Sequence, residues 1–183
     1  MNSDDKYITN IREKISEVET AHKAKLSTVE KILLSIDGPI VTILDVLYGE
    51  VKLFVLEQHT ISADKKISEL LEIEEGEEVE YREVIVHKRG RPLVHSTSYI
   101  PKARCSDRVI GELLEEEKTT GKILLTHEIE TTRKIKDISI EKPTALLSDL
   151  FNTSENMLTR EYILKHKKEI VLWTKETYPI NSF

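Results

Sequence analysis

EVEYREVIVHKRGRPLVHSTSYIP, residues 78–101, decides the fold of this chain, because it reads as two strands joined by a tight basic turn. In its first arm Arg82, Val84 and Val86 fall on one face of a period-2 strand, and Tyr81, Glu83, Ile85 and His87 fall on the other. The turn KRGRP carries Gly90, which adopts a positive backbone angle without penalty. Pro101 closes the second arm. Arg82 stands where an apolar residue is expected. Either it snorkels to a sheet edge and pairs with one of the many glutamates, or it turns inward. Burying a guanidinium is costly, so the inward reading demands a carboxylate or phosphate.

The period changes on both sides of the hairpin. Before it, VKLFVLEQHTI (51–61) alternates as a strand, and a crossing segment follows in which Ile67, Leu70 and Leu71 form a short helical stripe ended by Gly76. Earlier still, residues 4–22 place Tyr7, Ile8, Ile11, Ile15 and Val18 at helical spacing. Ser27 and Glu30 form a capping-box pattern ahead of VEKILLSI. Asp37-Gly38 makes a turn, and Pro39 sits at the first helical position of IVTILDVLYG. That helix is apolar on most sides and closes on Gly49, so it is predicted to be buried against the sheet.

After the hairpin, SDRVIGELLEEE (106–117) predicts a short helix and KTTGK a loop. ILLTHEIETTRKIKDISI (123–140) reads as one long strand, with Ile123, Leu125, His127 and Ile129 on one face and a bend or bulge near Thr131 and Thr132. PTALLSDLFN predicts a small helix. YILKHKKEIVLWTKETYP (162–179) predicts two strands about a lysine turn, with Ile170, Leu172, Thr174, Glu176 and Tyr178 on one face. An α+β protein follows, with a single, mainly antiparallel sheet of about six strands and short helices as excursions. One domain is expected over residues 1–183, with 1–26 as an N-terminal helical extension.

The 183 residues include 39% hydrophobic and 33% charged residues, a composition that suits a globular protein rather than a disordered or membrane one. No apolar run approaches a membrane span and no secretory signal is visible, so a cytoplasmic location is expected. The net charge of −6 argues against nucleic acid as a partner, and the scattered charge runs read as solvated faces. The acidic surface leans toward a monomer. A single cysteine, Cys105, excludes an internal disulfide. The six histidines are never spaced as a ligand pair, and no P-loop, dinucleotide fingerprint or nucleophile elbow appears; no metal site is expected.

Glu176 interrupts its inward apolar face as Arg82 does, after Ile170, Leu172 and Thr174. The two could form a structural ion pair across the sheet. Alternatively Arg82 forks onto a ligand carboxylate while Glu176 accepts from a ligand hydroxyl or handles a proton. Arg133, beside the expected bulge, is either a second anion contact or an exposed strand arginine.

LLSIDGPIVTILDVLYG, VEYREVIV, PLVHSTSYIP, TTGKILLTHEIETTRKI and IVLWTKETYP follow one another in an order that resembles the chorismate pyruvate-lyase family over roughly residues 27–180. The specific signal is the ordered set, not any one piece. The resemblance implies a chorismate lyase-like fold enclosing a small aromatic acid, and the removal of pyruvate from chorismate to leave 4-hydroxybenzoate, without metal or organic cofactor. It assigns the carboxylate-binding role to Arg82 and the ring-hydroxyl contact to Glu176. It adds a main-chain contact at Thr120 and Gly121, an anion contact at Arg133 and a ligand-covering loop at Pro39 and Ile40. Thr120 stands where bacterial relatives carry an apolar residue, and Thr97 lies nearest to an arginine found in some relatives. His95 or Arg133 are the alternatives for that second contact. The same fold resembles the UTRA effector domain of GntR-type regulators, so a non-catalytic binding domain for an aromatic acid is the second reading.

Overall fold

The computed structural model describes residues 3–114, 123, 126–127 and 130–183. Its order is α1 (Ser3–His22), α2 (Thr28–Ser35), α3 (Ile40–Tyr48), β1 (Lys52–Ser62), α4 (Lys65–Leu71), β2 (Glu78–Lys88) and β3 (Arg91–Pro101). Then come α5 (Asp107–Leu114), β4 (Thr132–Glu141), α6 (Ala145–Phe151), β5 (Met157–His166) and β6 (Glu169–Pro179). The six strands form one sheet in the order β1-β2-β3-β6-β5-β4, and every neighbouring pair is antiparallel. The expected α+β class and strand count are therefore observed. Among the described residues no helix is long and apolar enough to cross a membrane.

The β2–β3 hairpin forms as predicted, with both turn residues at positive φ, Arg89 at 48° and Gly90 at 84°. Such primed turns match the right-handed twist of the strands they join. Alternation then gives the sheet two dissimilar faces. One carries the main core, in which Ile11 and Ile15 of α1, Leu33 and Leu34 of α2, and Ile40, Val41 and Leu44 of α3 pack on Val86, Val94, Leu172 and Tyr178. The other is covered in part by α4, whose Ile67 and Leu71 meet Val79, Ile163, Ile170 and Trp173.

The structure departs from the sequence pattern at four places. α3 buries Ile40, Val41 and Leu44, while Val46 is 79% and Leu47 46% exposed, because an outer helix has only its inner side to bury. Its first helical residue is Ile40, with Pro39 at the cap. α4 ends at Leu71 with Glu72 in the left-handed region, so Gly76 (φ 92°) serves the turn into β2 instead. β4 starts only at Thr132. Ile123 and Thr126 are helical, and Ile123 is buried in the main core; Leu125, Ile129 and residues 115–117 lie outside the described residues. Short apolar runs fit either period, which is why this stretch misled. The irregularity of β4 falls between Ile135 and Asp137 rather than at Thr131 and Thr132. Finally, Leu164 pairs with Leu172 but Lys165 with Ile170, leaving Val171 as an extra residue. That bulge turns Ile170 to the α4 side, away from Leu172, Thr174 and Glu176.

The capping box at the start of α2 is reciprocal: the Glu30 backbone N–H donates to Ser27 Oγ at 3.1 Å and the Ser27 N–H to Glu30 Oε2 at 2.7 Å. Glu30 Oε1 also accepts from the Asn181 N–H at 2.6 Å, so one fully buried carboxylate ties α2 to the segment after β6. Glu30→Ala orphans both donors. It should lower stability by about 2–4 kcal/mol, read as a lower urea midpoint with an unchanged slope. A change under about 0.5 kcal/mol, the size typical of an ordinary surface substitution, would contradict this role.

Candidate functional site

Strand alternation brings Arg82 and Val84 of β2, Ser96 and Ser98 of β3, and Thr174 and Glu176 of β6 to the core-side face as neighbours. Arg133 of β4 and Tyr162 of β5 complete the sheet side of an enclosed cavity, and Pro39, Ile40 and Val41 at the start of α3 roof it. The cavity measures about 50 Å³, room for a few water molecules. Ser98 Oγ and Thr174 Oγ1 share a hydrogen bond of 3.0 Å in its wall.

Arg82 is 2% exposed, so it does not snorkel to an edge. Glu176, at 5% exposed, is held on both oxygens: Arg160 Nε donates to Oε2 at 2.6 Å and the Tyr162 hydroxyl to Oε1 at 3.1 Å. The structural partner of Glu176 is thus Arg160, which is not among the sequence candidates. Arg160 is 0% exposed and also donates from Nη1 to the carbonyls of Leu33 at 2.6 Å and Ile36 at 3.2 Å. Burial pulls its pKa down, but the Glu176 carboxylate and, less strongly, Tyr162 outweigh that, and the net direction is up. Burial first and Glu176 second push the Tyr162 phenol up to about 12, which keeps it a hydrogen-bond donor at physiological pH.

Arg133 lines the cavity half-buried, with its guanidinium carbon 4.0 Å from the Tyr162 ring centroid. That is cation–π geometry. Its Nε and Nη1 are buried without a hydrogen-bond partner, as is Nη2 of Arg160. Among the described residues the lining carries the guanidiniums of Arg82 and Arg133 and the carboxylate of Glu176, which Arg160 engages. Such an arrangement suits a small anion with an apolar body: Val84, Val86, Val94 and Leu172 supply the apolar walls.

Of the residues singled out from the sequence, Arg82, Glu176, Arg133, Pro39 and Ile40 meet at this cavity. Thr120 and Gly121 lie outside the described residues. His95 and Thr97 lie on the opposite face of the sheet and line a different cavity, so neither supplies a second anion contact here; Ser96 and Ser98 are the β3 residues facing the site. Arg160 could have been found from the sequence. Leu158, Arg160, Tyr162 and Leu164 alternate on one strand face, and Arg160 interrupts that apolar face as Arg82 interrupts its own.

Together, the sheet and its cationic cavity define a small-molecule-binding protein of the chorismate lyase-like fold. The chain belongs to the Rv2949c-like chorismate pyruvate-lyase family, whose family model matches residues 34–182. It is 28% identical over 160 residues to the protein named "Putative lyase MJ0807" of Methanocaldococcus jannaschii, covering 84% of this chain and 79% of that one. Among solved structures it resembles a GntR-family transcriptional regulator from Bacillus cereus (TM-score 0.62, 17% identity, 73% of this chain and 94% of that one). It also resembles the effector domain of PhnF from Mycobacterium smegmatis (TM-score 0.64, 15% identity, 78% and 88%). At these identities the two structures share the fold.

Removing one member of a buried ion pair strands the other. Arg160→Met should therefore cost about 3–5 kcal/mol, and Arg160→Met combined with Glu176→Leu should recover most of it. Thermal unfolding of the single and double variants measures this, and strictly additive losses would contradict it.

Proposed function

We propose that this chain is a lyase that removes pyruvate from chorismate to leave 4-hydroxybenzoate. The observation that carries the reading is that Arg82, Arg133 and Glu176 line one cavity with apolar walls, in a chain of the chorismate pyruvate-lyase family. Arg82 forks onto the ring carboxylate, a geometry guanidinium fits better than ammonium does. Arg133, stacked on Tyr162, adds a second positive group for the enolpyruvyl carboxylate. Glu176 accepts from the ring hydroxyl with lone pairs that Arg160 and Tyr162 leave over. Pro39 and Ile40 cover the ring, and the main chain at Thr120 and Gly121 contacts the ligand.

In the reaction the ether carbon–oxygen bond to the ring breaks, and the ring carbon bearing the hydroxyl loses its hydrogen. The enolpyruvate takes up a proton and becomes pyruvate. The balance needs no oxidant or reductant. Aromatisation drives it, so the residues chiefly position the substrate and exclude water. An aromatic acid exceeds the present 50 Å³, so its binding moves the lining apart.

Incubation of the purified protein with chorismate should release 4-hydroxybenzoate and pyruvate in equal amounts. Arg82→Ala should lower kcat/KM at least about a hundredfold, the scale of losing one preorganised anion contact, with the fold intact by circular dichroism. Near wild-type turnover by Arg82→Ala would overturn the assignment of Arg82. Binding of 4-hydroxybenzoate without any turnover of chorismate would instead establish a sensor, the reading that the effector-domain fold favours.

A further inference from the structure

The opposite face of the sheet holds a second cavity, of about 300 Å³, lined by Glu83, His95, Thr97, Lys175, Thr177, Met157 and residues of α6. That is the low end of the range for small-molecule sites, roughly 300–1,000 Å³. Its polar wall is a mostly buried dyad. His95 Nε2 lies 2.6 Å from Glu83 Oε1, and the Tyr81 hydroxyl donates to Glu83 Oε2 at 3.0 Å. A carboxylate that already accepts from a phenol makes Nε2 the donor. Nδ1 is then the ring nitrogen left for a ligand. Pairing of His95 with Thr177 and of Thr97 with Lys175 places His95 and Lys175 diagonally on adjacent strands, about 7–8 Å apart at the backbone. Lys175 now binds Glu141, whose half-exposed carboxylate it holds at 2.9 Å from both oxygens, and it lies 3.8 Å from Glu161 Oε1 on the neighbouring strand. Leu146 and Leu147 of α6 and Met157 of β5 supply an apolar wall beside these groups.

We infer that this cavity is a second binding site, for a short-chain hydroxy acid. The ligand's hydroxyl donates to His95 Nδ1, its carboxylate displaces Glu141 from Lys175, and its few carbons lie on Leu146, Leu147 and Met157. A ligand lacking the hydroxyl leaves Nδ1 without a partner, and one lacking the carboxylate leaves Glu141 in place. The site stands on its own lining and does not rest on the reaction assigned to the other face.

Titration calorimetry of the full chain with 3-hydroxybutyrate tests it, with butyrate and methyl 3-hydroxybutyrate as controls. The expected result is saturable binding of the hydroxy acid, at least about tenfold tighter than either control, the scale of one well-placed hydrogen bond. His95→Gln keeps a donor toward Glu83 while removing Nδ1, and should weaken binding at least about tenfold. Lys175→Met should do the same through the carboxylate, and Arg82→Ala should leave binding unchanged. Absence of binding at millimolar ligand, equal binding of butyrate, indifference to His95→Gln and Lys175→Met, or loss in Arg82→Ala would each overturn the proposal. Because these readouts involve no chorismate, failure here and failure of the lyase assignment are separate results.

Discussion

The buried ion pair of Arg160 and Glu176 is the constraint on which the rest of the core-side face depends. Taking both charges out of water is expensive, and the geometry offsets that cost only because nearly every remaining polar atom is occupied. Nε meets the carboxylate, Nη1 meets two carbonyls at the end of α2, and Tyr162 takes the second carboxylate oxygen. One side chain thereby joins β5, β6 and α2. The same contact holds the Asp37–Gly38 turn near the sheet, since Ile36 is the last residue before it. Pro39 and Ile40 then begin α3 directly over the cavity. Glu176 is thereby matched with Arg160 at the edge of the space that Arg82 and Arg133 also line.

Alternation makes the two faces of the sheet unlike while leaving them one peptide apart. Arg82 precedes Glu83, Ser96 lies between His95 and Thr97, and Glu176 lies between Lys175 and Thr177. Three adjacent strands, β2, β3 and β6, thus carry cavity residues on both sides. The faces also differ in their polar chemistry. The core side opposes two guanidiniums to a bonded carboxylate, whereas the far side couples an imidazole to a carboxylate beside the row Tyr81, Tyr99 and Trp173, whose ring centroids lie 5.4–5.6 Å apart. Burial and then Glu83 push the Tyr81 phenol up, so it remains a donor to that carboxylate.

Much of this was legible in the sequence, for local reasons. The hairpin announced itself through alternation and a glycine turn, and the α2 start through Ser27 and Glu30. Arg82 and Glu176 stood out as charges on apolar strand faces. Arg160 gives the same signal between Leu158 and Tyr162, but the last hairpin reads as beginning at Tyr162, which leaves Arg160 beyond the strand boundary. Element ends are where short-range patterns weaken most. Other departures needed tertiary information. A bulge at Val171 reverses the facing of Ile170 without any glycine to mark it. Burial of one side of α3 depends on what else covers the sheet, and the helical state of Ile123 was decided by the core it enters.

The fold's occurrence in both effector domains and a lyase family has a physical basis if the reaction is the elimination proposed here. Chorismate is already poised to aromatise, so the chemistry asks for little beyond a reactive conformation held away from water. A cavity that fixes a ring carboxylate and covers the ring already meets most of that demand. What separates retention from turnover is then whether the groups at the hydroxyl end stabilise the departing enolpyruvate better than the intact ether. In the reading proposed here that end holds Tyr162, which donates to Glu176 and lies under Arg133, so an anion, a donor and a cation adjoin one ring. Stabilising a redistribution of charge requires such a set, whereas binding a resting aromatic acid would be served by Arg82 and apolar walls.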